Sequence, residues 1–477
     1  MKTERRPIVE GWMRLSTRLL PFADAATVEL PLGRLLRLSL FQVSVGMAMA
    51  LMTGAVNRVM IVELGVSASL VAVMVALPLV FAPLRALIGH RSDTHRSALG
   101  WRRGPFIWFG SLLQFGGLAI LPFALLILSG DTHGPVAIGH GAAALAFLLV
   151  GAGLHTTQTA GLALATDIAP EDARPRVVAL LYVMLLAGML ASGLLFGWLL
   201  ADFTQIKLIQ VIQGSAIATM VLNMVALWKQ EARNPAATAK DLPRPSFEEG
   251  WNRLLEDRRA RRLLIAVSLG AAGFSMQEVL LEPYGGEVLG LSVGATTLLT
   301  ALFSGGAILG FGFSAHRLTN GAEPHRIAGF GALTGVFAFS AVLFADPLES
   351  PLLFRIGTAL IGFGGALFSV GTLVAAMSFA KTVKSGLALG AWGAAHATAA
   401  GCAILLGGVL RDAVSKAAEA GVLGPALDSA AAGYGAVYHI EILLLFLTIA
   451  AIGPLARPTE TSVPEAKKKF GLAAFPG

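Results

Sequence analysis

Charge is what this 477-residue chain most lacks: Asp, Glu, Lys and Arg make up only 14% of it, against roughly 25% in a soluble domain. With 55% hydrophobic residues and a mean hydropathy of +0.71, that shortage excludes an ordinary soluble globular protein. Cysteine is almost missing as well. The single Cys402 lies in an apolar run and excludes a disulfide framework within one chain. Strand-length alternation of apolar and polar residues is absent, which excludes a β-barrel. The motifs of soluble enzymology are lacking too: no GxxxxGK[ST] phosphate loop, no HExxH metal helix and no GxSxG nucleophile elbow. Spacings of the GxGxxG kind fall within apolar runs, where glycine serves packing. No enzymatic activity is expected. Residues 1–37 are basic and interrupted by Pro7, Pro21 and Pro31, so they carry no signal-peptide pattern. The first membrane helix is expected to act as an uncleaved insertion signal.

What the chain has in abundance is apolar runs of about twenty residues, the length that crosses a bilayer. Twelve are predicted, over 38–62, 67–89, 104–128, 138–163, 176–200, 206–228, 262–282, 292–313, 325–345, 352–379, 384–410 and 434–456. The fold class is therefore an all-α membrane protein with twelve transmembrane helices. Five of the 36 Lys and Arg residues fall on one side of these spans: Arg58, Lys207, Arg355, Arg411 and Lys416. The remainder, with Arg85 counted in its adjoining loop, fall on the side of the N-terminus. Cytoplasmic loops attract Lys and Arg, so both termini are expected in the cytoplasm. The net charge of +7 then reads as topology and lipid contact, not nucleic-acid binding.

A polar stretch divides six spans from six. The expected organisation is a basic N-terminal segment (1–37), a first half (38–228), a linker (229–261), a second half (262–456) and a cytoplasmic tail (457–477). In the linker, Ser246 and Glu249 have capping-box spacing, and Trp251, Leu254 and Leu255 share one helical face. This reads as an interfacial helix, or else as a solvated charge run. The halves resemble each other weakly. Gly161, Arg174, Gly197 and Asp202 match Gly371, Lys384, Gly407 and Asp412 at an offset of 210. VSVG (43–46) matches VSLG (267–270), and Glu63 matches Glu287, at 224. Two six-helix halves related as parallel repeats are the architecture of the major facilitator superfamily. The loop after the second span, GHRSDTHRSALGWRRG, resembles that superfamily's loop motif, with Gly89, Asp93 and Arg96 as its members. Its role is either a conformational lock or topology and packing.

The segment QEVLLEPYGGEVLG (277–290) carries the most conspicuous polar groups. It puts Glu278 and Glu282, one helical turn apart, into a spanning run, and Pro283, Gly285 and Gly286 are expected to break that run. A carboxylate at a helix centre costs about 2.5–3.5 kcal/mol on insertion scales, and such residues usually face a cavity or a partner. Arg58 occupies the position equivalent to Glu282 in the first half. The two are expected to pair and close the outer side, unless each reaches the interface by itself. Glu278 is a candidate proton site, cation site or hydrogen-bond acceptor. His396 sits near mid-membrane in GAWGAAHATAAGC (390–402), among small residues that leave space for a helix or a flat ligand. His155 lies in LHTTQTAG in the fourth span. A neutral imidazole can ligate a metal, or either histidine is a hydrogen-bonded packing residue. His439 is expected at the interface.

Beyond these motifs, the chain resembles the PucC/LhaA group, the bacteriochlorophyll-delivery branch of the major facilitator superfamily. The likeness runs from LPFADAATVELPLGRLLRLSLFQVSVGM (20–47) onward. It is most specific in NRVMIVELGVSA (57–68), in residues 85–126 and in QEVLLEPYGGEVLGLSV (277–293). This resemblance implies a part in light-harvesting complex assembly in the photosynthetic inner membrane of a purple bacterium. It implies bacteriochlorophyll as the bound or transferred pigment; a histidine, or a backbone or water oxygen, is then expected as the magnesium's axial ligand, with His396 the first candidate among the residues and His155 a further pigment-binding candidate. Implied partners are antenna polypeptides of the core or peripheral complex, with pigment-synthesis enzymes, reaction-centre assembly intermediates and lipids as further ones. Two other readings stay open: a proton-coupled transporter using Glu278, Glu282 and Arg58, and a pigment-free scaffold for antenna helices.

Overall fold

A computed structural model describes residues 30–80, 101, 103–130, 134–170, 173–231, 256–378, 385–424, 427 and 429–456. All regular structure among them is helical. α1 (Leu32–Met49) passes through two widened π-helical stretches, Ala50–Val56 and Val59–Glu63, as one span of 32 residues. α2 (Ala68–Val80), α3 (Gly104–Leu128), α4 (Val136–Ile168), α5 (Arg174–Leu199) and α6 (Gln205–Leu227) complete the first set. α7 (Arg258–Ser275) runs into a 3₁₀ turn (Met276–Val279) and a short helix (Leu281–Glu287), bent by 40°. α8 (Val293–Thr319), α9 (Pro324–Ala345), α10 (Pro351–Ser378), α11 (Ser385–Glu419) and α12 (Ala431–Ile452) follow. Among the described residues, ten stretches are long and apolar enough to cross a membrane, and the bent pair around Val279 makes an eleventh. α2 stands where the second span is expected; the rest of that run lies outside the described residues. This is a multi-pass membrane protein.

Several boundaries differ from the sequence expectation, each for a polar reason. α1 begins at Leu32, so Arg34 and Arg37 fall inside its first turns. Arg34 is usable there because its Nε donates to Gln230 Oε1 (3.1 Å) and its Nη2 to the Gln230 carbonyl (3.0 Å). α7 begins at Arg258, capped by the Asp257 carboxylate, which accepts from the Arg259 N–H at 2.7 Å. Arg258, Arg259, Arg261 and Arg262 therefore open the spanning helix itself. Arg262 donates to the Ala451 carbonyl (2.8 Å), satisfying the end of α12. α11 runs on to Glu419, nine residues past its expected end, and carries Arg411, Asp412 and Lys416 as helical residues. The 246–255 part of the expected interfacial helix, and the Gly89, Asp93 and Arg96 loop, lie outside the described residues.

Two packing seams join the early helices to the late ones: α5 against α8, and α2 against α11. Small residues make both seams close, since glycine lets helix backbones approach. A Cβ at Gly294 would stand 2.7 Å from the Gly197 carbonyl, and one at Gly193 would stand 2.7 Å from the Ala301 nitrogen. At the end of the bundle that carries Arg103, polar side chains satisfy helix termini. The Glu231 carboxylate accepts from the N–H groups of Arg103 (2.9 Å) and Gly104 (2.7 Å), capping α3 where the helix dipole favours an anion. Arg103 also pairs with Asp167 at 3.1 Å. Glu323 caps α9 in the same manner, accepting from the Arg326 N–H at 2.9 Å. Partial burial pulls the Glu323 carboxyl upward, but His325 beside it and these N–H donors outweigh that and hold it below the ordinary carboxylate range.

Candidate functional site

An irregular backbone inside a membrane survives only if its freed polar groups find partners within the protein. The break in the seventh span meets that requirement from two sides. Asn57 of α1 donates through Nδ2 to the Val279 carbonyl (2.9 Å). Glu441 of α12, 0% exposed, accepts the Gln277 N–H on Oε1 (2.8 Å). The expectation that Pro283 breaks the run agrees with where the break falls: a proline has no N–H for the carbonyl four residues before it, and that carbonyl, on Val279, is the one Asn57 takes up. Gly285 and Gly286 lie within the short helix Leu281–Glu287 and do not interrupt it. Gly286 lets the Arg58 guanidinium lie against the backbone: a Cβ there would stand 3.0 Å from Arg58 Nη2.

Replacing Glu441 tests the pin. Glu441→Ala removes an acceptor from a buried N–H and is expected to lower stability in detergent by about 1–3 kcal/mol. Glu441→Gln keeps a carbonyl at the same place and is expected to lose less than about 1 kcal/mol. Thermal unfolding of the two variants decides it; equal losses would remove the pin from the account.

The break turns side chains toward a central cavity of about 310 Å³. Phe274, Phe303, Phe311 and Phe368 supply much of its apolar wall. Three of the sequence candidates meet there: Glu278, Glu282 and His396 all line it. Glu282 is 5% exposed; its Oε1 accepts from Thr300 Oγ1 (2.6 Å), while its Oε2 finds no hydrogen-bond donor among the described residues. Glu278 is half-buried and accepts no hydrogen bond from a described residue. The His396 ring lies 5.3 Å from that of Trp392, tilted by 34°, and Trp392 is held by its Nε1–H donating to Thr372 Oγ1 (3.1 Å).

Arg58 and Glu282, expected to pair, make no direct salt bridge, although the Arg58 charge acts on the Glu282 carboxyl at longer range. Arg58, 4% exposed, forms its ion pair with Glu63, one turn and a half along its own span, and donates through Nη2 to the Leu291 carbonyl (3.3 Å). The physical reason is the widened helix Val59–Glu63, which brings Glu63 back under the guanidinium. The second half repeats the chemistry at the same end. Arg411 pairs with Glu287, the counterpart of Glu63, and with Asp412 (3.0 Å). Tyr434 donates to Glu287 (2.8 Å) and lies under the Arg411 guanidinium, 4.8 Å from ring centroid to carbon. Asp412 in turn accepts the Ser69 N–H at the start of α2 (2.7 Å). Two arginine clusters thus tie early helices to late ones at the end that carries Arg58.

A family model for "PUCC protein" matches residues 55–460. The chain belongs to that family. It is 57% identical over 403 residues to "Protein PucC" of Rhodovulum sulfidophilum, covering 83% of this chain and 89% of the relative. It is 56% identical over 467 residues to an "Uncharacterized protein in puhA-bchM intergenic region" of Rhodobacter capsulatus, covering 97% and 98%. Among solved structures, a bacterial homolog of the human lysosomal transporter Spinster, described as inward-facing and unoccupied, superimposes with a TM-score of 0.65. It is 14% identical and covers 92% of this chain and 97% of its own. The last likeness speaks for the fold alone, and it bears out the all-helical, major facilitator-like transporter fold expected from the sequence.

Not every candidate joins the cavity. His155 sits partly buried on α4, away from the cavity lining, and it is engaged in other contacts. His439 is exposed on α12, its Nδ1 2.6 Å from the Gly435 carbonyl. Arg58 stands behind Gly286 and does not line the cavity. Among the described residues, no three His, Cys, Asp or Glu side chains gather as metal ligands. Sequence reasoning passed over Asn57, Glu441 and the Arg411 cluster. The equivalence of Glu63 and Glu287 was the available signal for the last; nothing in one sequence says that a carboxylate in the twelfth span meets an N–H freed in the seventh.

Proposed function

We propose that this protein is an assembly factor for light-harvesting antenna complexes, which holds bacteriochlorophyll and passes it to antenna polypeptides. Membership of the PUCC family supports the first part. The observation that carries the second is the central cavity, an aromatic-walled chamber with two carboxylates and one imidazole inside the membrane. Ligand sites range over about 300–1,000 Å³, so a cavity of about 310 Å³ stands at the lower limit. A tetrapyrrole with a long hydrocarbon tail exceeds it. In this reading the ring edge enters the cavity and the tail lies between helices, and full entry requires the α5–α8 or α2–α11 seam to part. The side chains fit such a cargo: phenylalanine faces for the macrocycle, and Glu278 or His396 for its magnesium. The end carrying Arg58 is taken as the non-cytoplasmic one, because Lys and Arg are sparse there.

The test is purification of the chain from a phototrophic host with and without bacteriochlorophyll synthesis, followed by absorbance and by cross-linking to antenna polypeptides. The expected result is pigment retained near one per chain, and His396→Ala lowering it severalfold. Pigment no higher than detergent background, with cross-links unchanged by the loss of pigment synthesis, would leave a scaffold in place of a carrier.

A further inference from the structure

The central cavity offers more acceptors than donors. Thr300 Oγ1 donates to Glu282 (2.6 Å), Thr53 Oγ1 to the Met49 carbonyl (3.0 Å) and Gln277 Nε2 to the Phe274 carbonyl (3.4 Å), so these three lining donors are spent within the protein. The acceptors are left over. Oε2 of Glu282 and Oε1 of Gln277 are buried, in residues 5% and 4% exposed, and neither meets a donor among the described residues. Glu278 lines the same chamber, half-buried. Neither Lys nor Arg is among the lining residues. The Arg58 guanidinium is committed to Glu63 and to the Leu291 carbonyl, and its charge reaches Glu282 only at longer range. The Glu282 carboxylate is also firmly placed: Thr300 holds Oε1, and a Cβ at Gly54 would stand 2.6 Å from the same atom. A buried carboxylate oxygen without a donor is costly until a donor reaches it.

We propose that this cavity is a binding site for a compact organic cation, a protonated amine on a one-ring body, whose ammonium donates to Glu282 Oε2. An ammonium group brings three donors and no acceptor, which is what the leftover oxygens lack. A metal ion answers the site less well: among the described residues no three His, Cys, Asp or Glu side chains gather to hold one, and the walls are largely apolar. The walls suit the rest of such a ligand. The rings of Phe274 and Phe368 lie 5.9 Å apart, with Phe303 and Phe311 also lining the chamber. Aromatic faces attract a cation within about 6 Å and take up an apolar ring as well. Size sets the scale of the ligand. A cavity of about 310 Å³ holds about ten heavy atoms if each takes roughly the 30 Å³ of a water molecule. A one-ring amine therefore enters whole. Glu278 adds a second negative charge to the same chamber and favours the cation without being its anchor. The inference does not rest on the pigment reading: a ring edge and an amine would compete for one space, and each is measured separately.

Ligands that differ only in their polar group isolate the charge. Purified full-length protein in detergent is titrated calorimetrically with phenethylammonium, with the neutral phenethyl alcohol and with the anionic phenylacetate. Wild type is expected to bind the amine about tenfold more tightly than the alcohol, the difference between a charge-assisted and a neutral hydrogen bond, and phenylacetate not measurably. Glu282→Gln keeps the acceptor for Thr300 and is expected to abolish the preference for the amine while leaving the alcohol's affinity within about twofold. Glu278→Gln is expected to lower amine affinity about threefold, and Asp202→Asn, at an exposed carboxylate outside the chamber, to change neither ligand. Thermal unfolding confirms that each variant is folded, and the wild-type comparison stands without any variant. Equal affinity for amine and alcohol in wild type, or a preference for the amine that survives Glu282→Gln, would overturn the proposal. Pigment retained on purification is unaffected by either outcome, so the carrier reading fails or stands by its own measurement.

Discussion

Arg411→Ala is expected to lower the stability of the protein by about 3–5 kcal/mol, the cost of breaking a buried ion pair by removing one partner. The side chains of Arg411 and Glu287 are 15% and 20% exposed, so water and the Tyr434 hydroxyl could satisfy the orphaned carboxylate only in part. The loss reaches further than one pair. Arg411 also holds Asp412, whose Oδ2 accepts the Ser69 N–H that begins α2, and it packs on Tyr434. The α2–α11 seam should loosen with it. Thermal unfolding in detergent measures the size, and the double variant with Glu287→Gln measures the coupling. Because that substitution removes the charge that Arg411→Ala strands, the double variant should be more stable than the sum of the singles predicts by about 1.5 kcal/mol or more. Additive losses, or a single loss below about 1 kcal/mol, would show the cluster to be ornament on a seam held by packing.

Gly306→Val comes second in expected effect. α8 and α10 approach so closely that a Cβ at Gly306 would overlap the Ala359 carbonyl, and one at Gly362 would overlap the Phe303 carbonyl. Both obstacles are backbone, which cannot swing aside as a flexible side-chain end would. Overpacking costs about 1–3 kcal/mol and occasionally more, and this substitution is expected at the upper end. Gly312→Val on the same helix supplies the control: a Cβ there meets nothing within 4 Å, and it is expected to cost less than about 0.5 kcal/mol. Gly306 lies beside Phe303 and Ala307 of the cavity wall, so the Val variant should also bind pigment less well. Equal stability of the two variants would mean that the contact between α8 and α10 yields without strain.

Much of the site could be read from residue order, and the failures are instructive. Glu278, Glu282 and His396 stood out because each is polar inside an apolar run, and solvation cost alone marks such residues. That all three face one cavity agrees with the signal. Arg58 stood out for the same reason, yet its partner was misjudged. Equivalence of position between repeats suggested Glu282, whereas two π-helical stretches in α1 rotate the register and deliver Glu63 instead. The break in the seventh span was expected at Pro283 and the glycines that follow. It falls at Met276–Val279, one turn ahead of that proline, whose missing N–H frees the Val279 carbonyl; Asn57 and Glu441 then satisfy the irregular backbone with hydrogen bonds from two other spans.

By itself the sequence determined that the chain crosses the membrane many times, how its basic residues divide between the two sides of the spans, which polar residues bear the cost of the bilayer, and which family it resembles. Each of these follows from local quantities: run length, hydropathy, charge count and motif spelling. Tertiary structure alone decided which carboxylates share a cavity, which arginine answers which acid, and which side chains take up the backbone groups freed where the seventh span bends. Those are choices among partners separated by 1 to 343 residues, and inside a membrane a polar group takes whichever partner the packing brings within reach.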